Sequence, residues 1–522
     1  RFYREEFGVQ SNDIFLPDCF GFGYTLPTIA AHSGLIGMST QKLSWRNHDF
    51  YDAPYHKKNP FSWGVWYGID GSSVIAAFDT GGYNSELPEN VQYNERLMER
   101  AAHGYDNTCF RYYAGGGEGV GDKGNSGTVT TCRRLTKAIN DPNAPIEIIS
   151  ATSDDLFKAY LGRKAELPSF DGELLMDVHA TGCYTSQTAM KYYNRRNEEL
   201  TGAAERASVA ADWLGALAYD QRKLTEIWQR FIWHQFHDDL TGTSIPEAYT
   251  WSWNDELIAL RQGGDVMNTA VGALSYSLDT RVKGTPVVVY NAVTYPVKAV
   301  VEAEIPLAAK AKGVAVYGPD GRRVAAQILT REGDKAVIAF AADVKSVGYA
   351  VYDVRPASPA KSSALKVNGN TIENGVYKLT LDRNGDIASL VDKRYGRELV
   401  EQGKAFRLAI FEGNPSNEWP AWEVLKEVVD KTPRAVTDNV SVSVGEEGPV
   451  RASLKVERTY GDSKFMQYIT LTDGAQDDRI DIRTTVDWNS RNTLLKDTLG
   501  RVAETTVDLT GIFQSEACCC MV

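Results

Sequence analysis

At 522 residues the chain is too long for one hydrophobic core, so two to four domains are expected. Apolar residues make up 43% and charged residues 24%, a globular composition, and no run of about 18 uninterrupted apolar residues could span a bilayer. A net charge of −12 and a pI near 5.3 argue against a nucleic-acid partner, which would need Lys and Arg gathered on one surface, and favour a neutral ligand.

The chain opens with RFYREEFGVQ, which lacks a Met, a basic stretch and an apolar stretch, so it reads as beginning inside a domain. From residue 1 to about 185, short apolar runs (IFLPDCFGFG, SSVIAAF, IEIISA) alternate with helix-like segments such as SELPENVQYNERLMERAA, the pattern of an α/β domain. Asp18 follows the first apolar run, ahead of the turn Gly21-Phe22-Gly23. A carboxylate at a strand's carboxyl end sits where α/β barrels place active sites; the plainer reading is a cap on the following helix or turn. Further on, RYYAGGGEGVGDKGNSGTVT (111 to 130) is a Gly-rich loop with two isolated acids, Glu118 and Asp122. It lacks the Gly-Lys-Ser/Thr ending of a phosphate loop.

Between about 188 and 278 the period becomes helical. Leu200, Ala204, Ala207, Ala211, Leu214 and Ala218 form one stripe, and Leu224, Ile227 and Phe231 another. Two or three such helices with short connections predict a helical bundle. The segment WHQFHDDLTGTS (233 to 244) is expected at a helix end that stops at Thr241-Gly242. His234 continues the apolar stripe and reads as a satisfied core histidine. His237 lies on another face beside Asp238 and Asp239, which could orient its imidazole toward a metal; a cation stabilised by the helix dipole is the plainer alternative.

After Gly284 the period turns to two, in TPVVVYNAV, AVVEAEIP and KAVIAFAADV, with a turn at Gly318-Pro319-Asp320-Gly321. RPASPAKSSA (355 to 364) reads as a linker to a second β region, whose hairpin VYKLTLDRNGDIASLVD turns at Asn384-Gly385. The expected division is 1–185 α/β, 186–280 helical, 281–355 a small β domain and 356–522 a second β domain. Four cysteines (Cys19, Cys109, Cys132, Cys183) are scattered without Cys-x-x-Cys spacing, and Cys518, Cys519 and Cys520 form a terminal run. The 11 Trp and 26 Tyr offer flat rings with polar edges that suit sugar faces, although most such rings pack cores.

Taken in order, LPDCFGFGYTLPTIAAHSGLIGMSTQKLSW, NPFSWGVWYGIDGSSVIAAF, TGCYTSQTAMKYYNRRNEEL and HQFHDDLTGTSIPEAY resemble the successive signature segments of glycoside hydrolase family 38 α-mannosidases. The resemblance continues through TPVVVYNAVTYP, ENGVYKLTLDRNGDIASLVDKRYGRELV and DDRIDIRTTVDWNSRNTLLK, to about residue 497. It implies a multidomain fold of α/β plus α plus β: an incomplete seven-stranded β/α barrel, a three-helix bundle and β-sandwich domains. The implied activity is retaining hydrolysis of terminal α-mannosyl linkages with zinc.

Carried over residue by residue, the resemblance makes Asp18 nucleophile and zinc ligand, and His237 a zinc ligand. It places Phe20 and Tyr184 in the sugar pocket and Asp238 behind the metal site. Arg111-Tyr112-Tyr113 followed by Gly121-Asp122 resembles the family's acid loop and nominates Asp122 as general acid, with Glu118 a competitor because the spacer is longer. The family's other two zinc ligands, in a His-x-Asp motif upstream of the nucleophile, have no counterpart here: only His237-Asp238-Asp239 has that spacing. Two of four ligands predict weak zinc binding and little turnover. The expected partner is an α-mannoside glycan, and an oligomer is compatible with the sequence. An export signal, as in exported or periplasmic relatives, would lie before residue 1. Two other readings compete. Against a carbohydrate-binding protein without catalysis, Asp18 and an acid at Glu118 or Asp122 speak for the enzyme, whereas the missing His-x-Asp motif speaks for binding only; against a zinc deacetylase on a similar barrel stand the β domains after residue 285.

Overall fold

The structure is a computed structural model describing residues 2–44, 60–81, 87–113, 128–175, 180–358, 364–414, 419, 421–491, 493–496, 502–504 and 512–516. Asp122, Glu118 and the terminal Cys518–Cys520 run lie outside the described residues. The chain divides into two compact units, 1–181 and 182–522. As the alternation implied, it is a mixed α/β protein with many separate sheets.

The first unit carries α1 (Phe2–Phe7), β1 (Asp13–Phe15), β2 (Gly21–Phe22), α2 (Leu26–His32), β3 (Gly37–Ser39), β4 (Trp63–Tyr67) and β5 (Ser73–Ala77). It continues with α3 (Glu95–His103), α4 (Val129–Ile139), α5 (Asp155–Tyr160), β6 (Ser169–Asp171) and β7 (Leu174–Leu175). One sheet runs β1-β3-β5-β4-β6. β1, β3 and β5 are mutually parallel, whereas β4 returns antiparallel to β5 through the turn at Gly68–Gly71. The continuous apolar stretches SVIAA and WGVWY are buried as strands covered on both faces should be. Phe157 of α5 is fully buried over β3, so close that a Cβ on Gly37 would overlap its ring. Two expectations fail here. Gly21-Phe22 is a short strand paired with β7 and not only a turn. IEIISA forms no strand; Ile146 and Ile148 pack half-buried beside Leu87, Val91 and Leu97, so their apolar character serves a loop.

The second unit begins with α6 (Thr188–Trp213), α7 (Gln221–Trp233) and α8 (Pro246–Tyr276), which pack on one another. The first stripe ends early. Ala204, Ala207 and Ala211 are fully buried, but Leu214 is the exposed terminal cap and Ala218 lies beyond, because Gly215 adopts φ +70° and turns the chain out of the helix. Asn194, Asn197, Thr201 and Ser208 share the buried face, polar positions that an apolar count passes over. Helix α7 also stops early, at Trp233 with His234 as its cap, and 234 to 242 is a run of turns.

The β part opens with β8 (Thr285–Asn291), β9 (Val297–Pro306), β10 (Gly313–Tyr317), β11 (Arg323–Val324), β12 (Ala326–Glu332), β13 (Lys335–Val344) and β14 (Gly348–Ala357). They form the sheets β11-β10-β14-β8 and β12-β13-β9, which share a core that includes Val289, Val316, Val354, Val301, Ile338 and Phe340. The expected linker at 355 starts late: Arg355 and Pro356 continue β14 opposite Ala315 and Val314. β8 pairing has ended at Val354, so the proline falls where that side of the strand is an edge.

Beyond it come β15 (Lys366–Asn368), β16 (Thr371–Glu373), β17 (Tyr377–Leu381), β18 (Ile387–Asp392), β19 (Arg397–Glu398) and β20 (Ala409–Glu412). After α9 (Lys426–Val429) the chain adds β21 (Arg434–Ala435), β22 (Asp438–Glu446), β23 (Arg451–Tyr460), β24 (Ser463–Thr472), β25 (Asp481–Asp487) and β26 (Thr493–Lys496). The predicted β17–β18 hairpin is present: Gly385 takes φ +75°, and the Asp382 carboxylate accepts from the Asn384 and Asp386 amides. Leu379 and Leu390 of that hairpin share a core with Leu454 and Ile469 of β23 and β24.

Candidate functional site

In the first unit the carboxyl ends of β1, β3 and β5 lie along one edge. The Leu16 amide extends the β1–β3 pairing by donating to the Ser39 carbonyl (3.0 Å), and Pro17 turns the chain so that Asp18 sits just past the edge. Thr25, not Asp18, holds the cap position of α2. At the end of β3, the helical turn Lys42–Ser44 brings the Lys42 ammonium 3.4 Å from Asp18 Oδ1 and 4.5 Å from the centre of the buried Phe20 ring. The next strand end adds more. The Thr40 amide donates to the Ala77 carbonyl, the Thr80 hydroxyl to the Thr40 carbonyl (3.0 Å), and the Tyr112 amide to the Thr80 carbonyl (2.8 Å). Asp79 accepts from Arg100 (2.6 Å) and Arg111 (3.1 Å), and Tyr112 shares a hydrogen bond with Ser39 (3.0 Å). The Arg-Tyr-Tyr segment that leads into the Gly-rich loop is thus fixed along the edge that carries Asp18, while Asp122 and Glu118 themselves lie outside the described residues. Burial and the neighbouring Asp18 charge push the Cys19 thiol up to about 11, which leaves it protonated and unreactive at neutral pH.

In the second unit the His237 segment is held at many points. Asp238 lies against His237, with Oδ2 3.4 Å from Nε2; Asp239 does not, because its carboxylate is taken by His234 Nδ1 (2.6 Å) and the Ser252 hydroxyl (2.8 Å). The two acids expected to flank His237 therefore divide, one to each histidine. His234 is the buried, satisfied histidine that its place on the stripe implied. Its burial favours the neutral ring, but the Asp239 and Asp255 carboxylates prevail and raise its pKa above the ordinary value. The Asp238 carbonyl accepts from the Ser244 amide (2.8 Å) and the Tyr249 hydroxyl (3.1 Å), its carboxylate from Thr243 (2.7 Å), and the His237 carbonyl from Thr241. His237 thus lies in a fastened loop, four residues past the last residue of α7.

Tyr184, 46% exposed, ends the helical turn Thr181–Tyr184. Lys191, one turn into α6, donates its ammonium to the carbonyls of Ser186 (2.5 Å) and Leu240 (2.9 Å), so one side chain ties the Tyr184 stretch to the His237 loop. Burial lowers its pKa to about 8. Gly242 completes the contact: at φ +85°, a Cβ there would stand 2.6 Å from the Ser186 backbone.

Three family domains match in sequence order: the Glycosyl hydrolases family 38 N-terminal domain over residues 1–173, the Alpha mannosidase middle domain over 178–274, and the Glycosyl hydrolases family 38 C-terminal domain over 372–509. The chain belongs to glycoside hydrolase family 38. Among curated relatives, Alpha-mannosidase G of Dictyostelium discoideum is 27% identical, over 95% of this chain and 46% of its own length. Alpha-mannosidase 2C1 of Homo sapiens is 26% identical, over 95% and 44%. The chain thus spans a little under half of these relatives. A solved α-mannosidase from Enterococcus faecalis V583 superposes with a TM-score of 0.68 at 16% identity, covering 95% of this chain and 63% of that one, a likeness of fold.

Carboxylate oxygen and imidazole nitrogen both suit the zinc expected of family 38, but among the described residues no group of three or more His, Cys, Asp or Glu could hold a metal ion. Sequence reasoning missed Lys42, the Asp79–Arg100–Arg111 cluster and Lys191. A signal for Lys42 existed: it follows the short apolar run LIGM (35 to 38) much as Asp18 follows IFL (14 to 16).

Proposed function

We propose that the chain is the part of a retaining α-mannosidase that carries the nucleophile, acting on terminal α-mannosyl linkages of glycans by double displacement. The observation that carries this reading is the position of Asp18, at the carboxyl edge of a parallel strand trio, 14% exposed and beside the Lys42 ammonium. In the proposed reaction the Asp18 carboxylate attacks the anomeric carbon while Asp122 protonates the departing glycosidic oxygen, giving a mannosyl ester. Asp122 then takes a proton from water, which displaces Asp18 with overall retention. Glu118 is the alternative acid. Phe20 and Tyr184 would flank the sugar, and Asp238 would orient His237. Bound zinc, with Asp18 and His237 among its ligands, would supply Lewis-acid stabilisation of charge on the sugar's oxygens.

Residues 1–522 hold two of the four ligands implied, so this polypeptide is expected to bind zinc weakly and turn over slowly. The finer architecture belongs to the same proposal: the first sheet as part of a seven-stranded β/α barrel, α6–α8 as a three-helix bundle, paired sheets as sandwiches, and domains at 1–185, 186–280, 281–355 and 356–522. The test is an aryl α-mannoside assay with added zinc, on wild type and Asp18→Asn. Slow, zinc-stimulated turnover that falls at least about a thousandfold in Asp18→Asn is expected. Turnover unaffected by the substitution would refute the assignment, and mannose binding without turnover would favour the carbohydrate-binding reading.

A further inference from the structure

Trp419 and Trp422 stand apart from indoles such as Trp63 and Trp66, which are fully buried, and Trp488, which is 4% exposed. Both remain half-buried, and their rings are parallel, with centroids 5.8 Å apart and an interplanar angle of 9°. The Trp422 amide donates to the Trp419 carbonyl (2.9 Å), closing a turn. Buried Asn414 steadies that turn, donating to the Glu423 carbonyl (3.2 Å) and accepting from the Leu425 amide (3.1 Å). Val424 and Leu425, themselves half-buried, pack against the core around Phe411, Val428 and Leu494, which anchors the turn that carries the two indoles.

The turn is also fastened to another part of the fold. The Gly182 amide donates to the Trp422 carbonyl (2.9 Å), and the Ser186 hydroxyl to the Ala421 carbonyl (2.5 Å). Tyr184 lies between those two attachment points. A stretch more than two hundred residues distant in sequence thereby brings two parallel, stacked indoles to the segment that bears an exposed tyrosine.

We propose that Trp419 and Trp422, together with Tyr184, form an aromatic platform that binds a pyranose ring of the glycan. An indole face is large, apolar and electron-rich, and the C–H face of a pyranose complements it while the hydroxyls point to polar neighbours at the rim. Stacking the indoles on each other fixes their rotamers, so little side-chain freedom is lost when a sugar arrives. The identity of the sugar as a mannoside rests on the function proposed above; the platform does not.

The test is calorimetric titration of the full chain with methyl α-mannoside and methyl α-glucoside, on wild type, Trp419→Ala, Trp422→Ala and the two Trp→Phe variants. Binding of the mannoside that weakens about tenfold or more in both alanine variants, and is largely kept in the phenylalanine variants, supports the platform. Binding unchanged in both alanine variants overturns it and leaves the mannosidase reading standing. Binding of the glucoside alone, lost in the alanine variants, keeps the platform and refutes the mannoside assignment, and no binding of either sugar overturns both. Should the alanine variants not fold, indole emission decides: saturating sugar should quench it less in each Trp→Phe variant than in wild type, and equal quenching overturns the platform.

Discussion

The Lys42 ammonium lies 3.4 Å from the Asp18 carboxylate, with the two side chains 7% and 14% exposed. Each follows the carboxyl end of one of two adjacent parallel strands, so the pairing is set by the sheet register and not by sequence proximity. Removing one partner of a buried pair leaves the other charge desolvated, which typically costs about 3–5 kcal/mol. Lys42→Met should therefore lower unfolding free energy by about 3 kcal/mol in urea titrations, and Lys42→Arg by less. The double variant Asp18→Asn with Lys42→Met should be more stable than the sum of the singles by about 1–3 kcal/mol. Additivity would show that the contact carries no energy.

Lys191 joins two stretches through their carbonyls at Ser186 and Leu240. Lys191→Met strips a donor from both, but it also removes a charge whose burial holds its pKa down near 8. The two effects oppose, so net stability should change by no more than about 2 kcal/mol. Local order should change more. Amide exchange at 182–186 and 238–242 is expected to speed up at least about tenfold in Lys191→Met relative to Lys191→Arg, measured by mass spectrometry. Equal exchange in the two variants would mean that Gly242 packing alone holds the stretches together.

Much of the framework could be read from the residues, and the reasons are specific. The Asn384-Gly385 hairpin was legible because turn chemistry is local, β9 because its burial alternates with period two, and β8 and β13 because they are rich in β-branched and apolar residues, although each buries a continuous run. The end of α7 was not, because the turns after Trp233 are held by contacts distant in sequence: Asp239 bonds His234 five residues earlier and the Ser252 hydroxyl on α8. The short strand β2 was missed because its partner, β7, lies more than 150 residues away. Asp18 and His237 stood out by motif, whereas Lys42, Lys191 and the Trp419–Trp422 turn gain meaning only from neighbours that the fold supplies.

Gly242 is the single glycine of the His237 loop (234 to 244). Its φ of +85° disfavours any L side chain, and an added Cβ would meet Ser186 backbone atoms at 2.6 Å, which cannot swing aside as a side chain could. Gly242→Ala should destabilise by about 2–4 kcal/mol, the sum of left-handed strain and a forced backbone shift. Gly321, at φ +77° with open space around its Cβ position, is the control: alanine there should cost only about 1 kcal/mol. Thermal midpoints of the two variants check the difference.

His234 makes stability depend on pH. It is buried between Asp239 at 2.6 Å and Asp255 at 3.4 Å, and these carboxylates raise its pKa above the ordinary 6.5 despite the opposing effect of burial. A histidine whose folded value lies above its unfolded value binds protons more tightly when folded. Its contribution is therefore fully present below the unfolded value and is lost as pH rises through the folded one. Glu256, fully buried, has its own pKa raised by desolvation; as an acid that holds its proton longer when folded, it also favours low pH. Wild type alone cannot separate the two, so the comparison is with His234→Gln, which keeps Glu256. The urea midpoint of wild type minus that of His234→Gln should be largest near about pH 5.5 and shrink steadily toward about pH 8. A difference that is flat across that range, or that grows with pH, would show that the Asp239 contact holds a neutral imidazole and that the ion pair is absent.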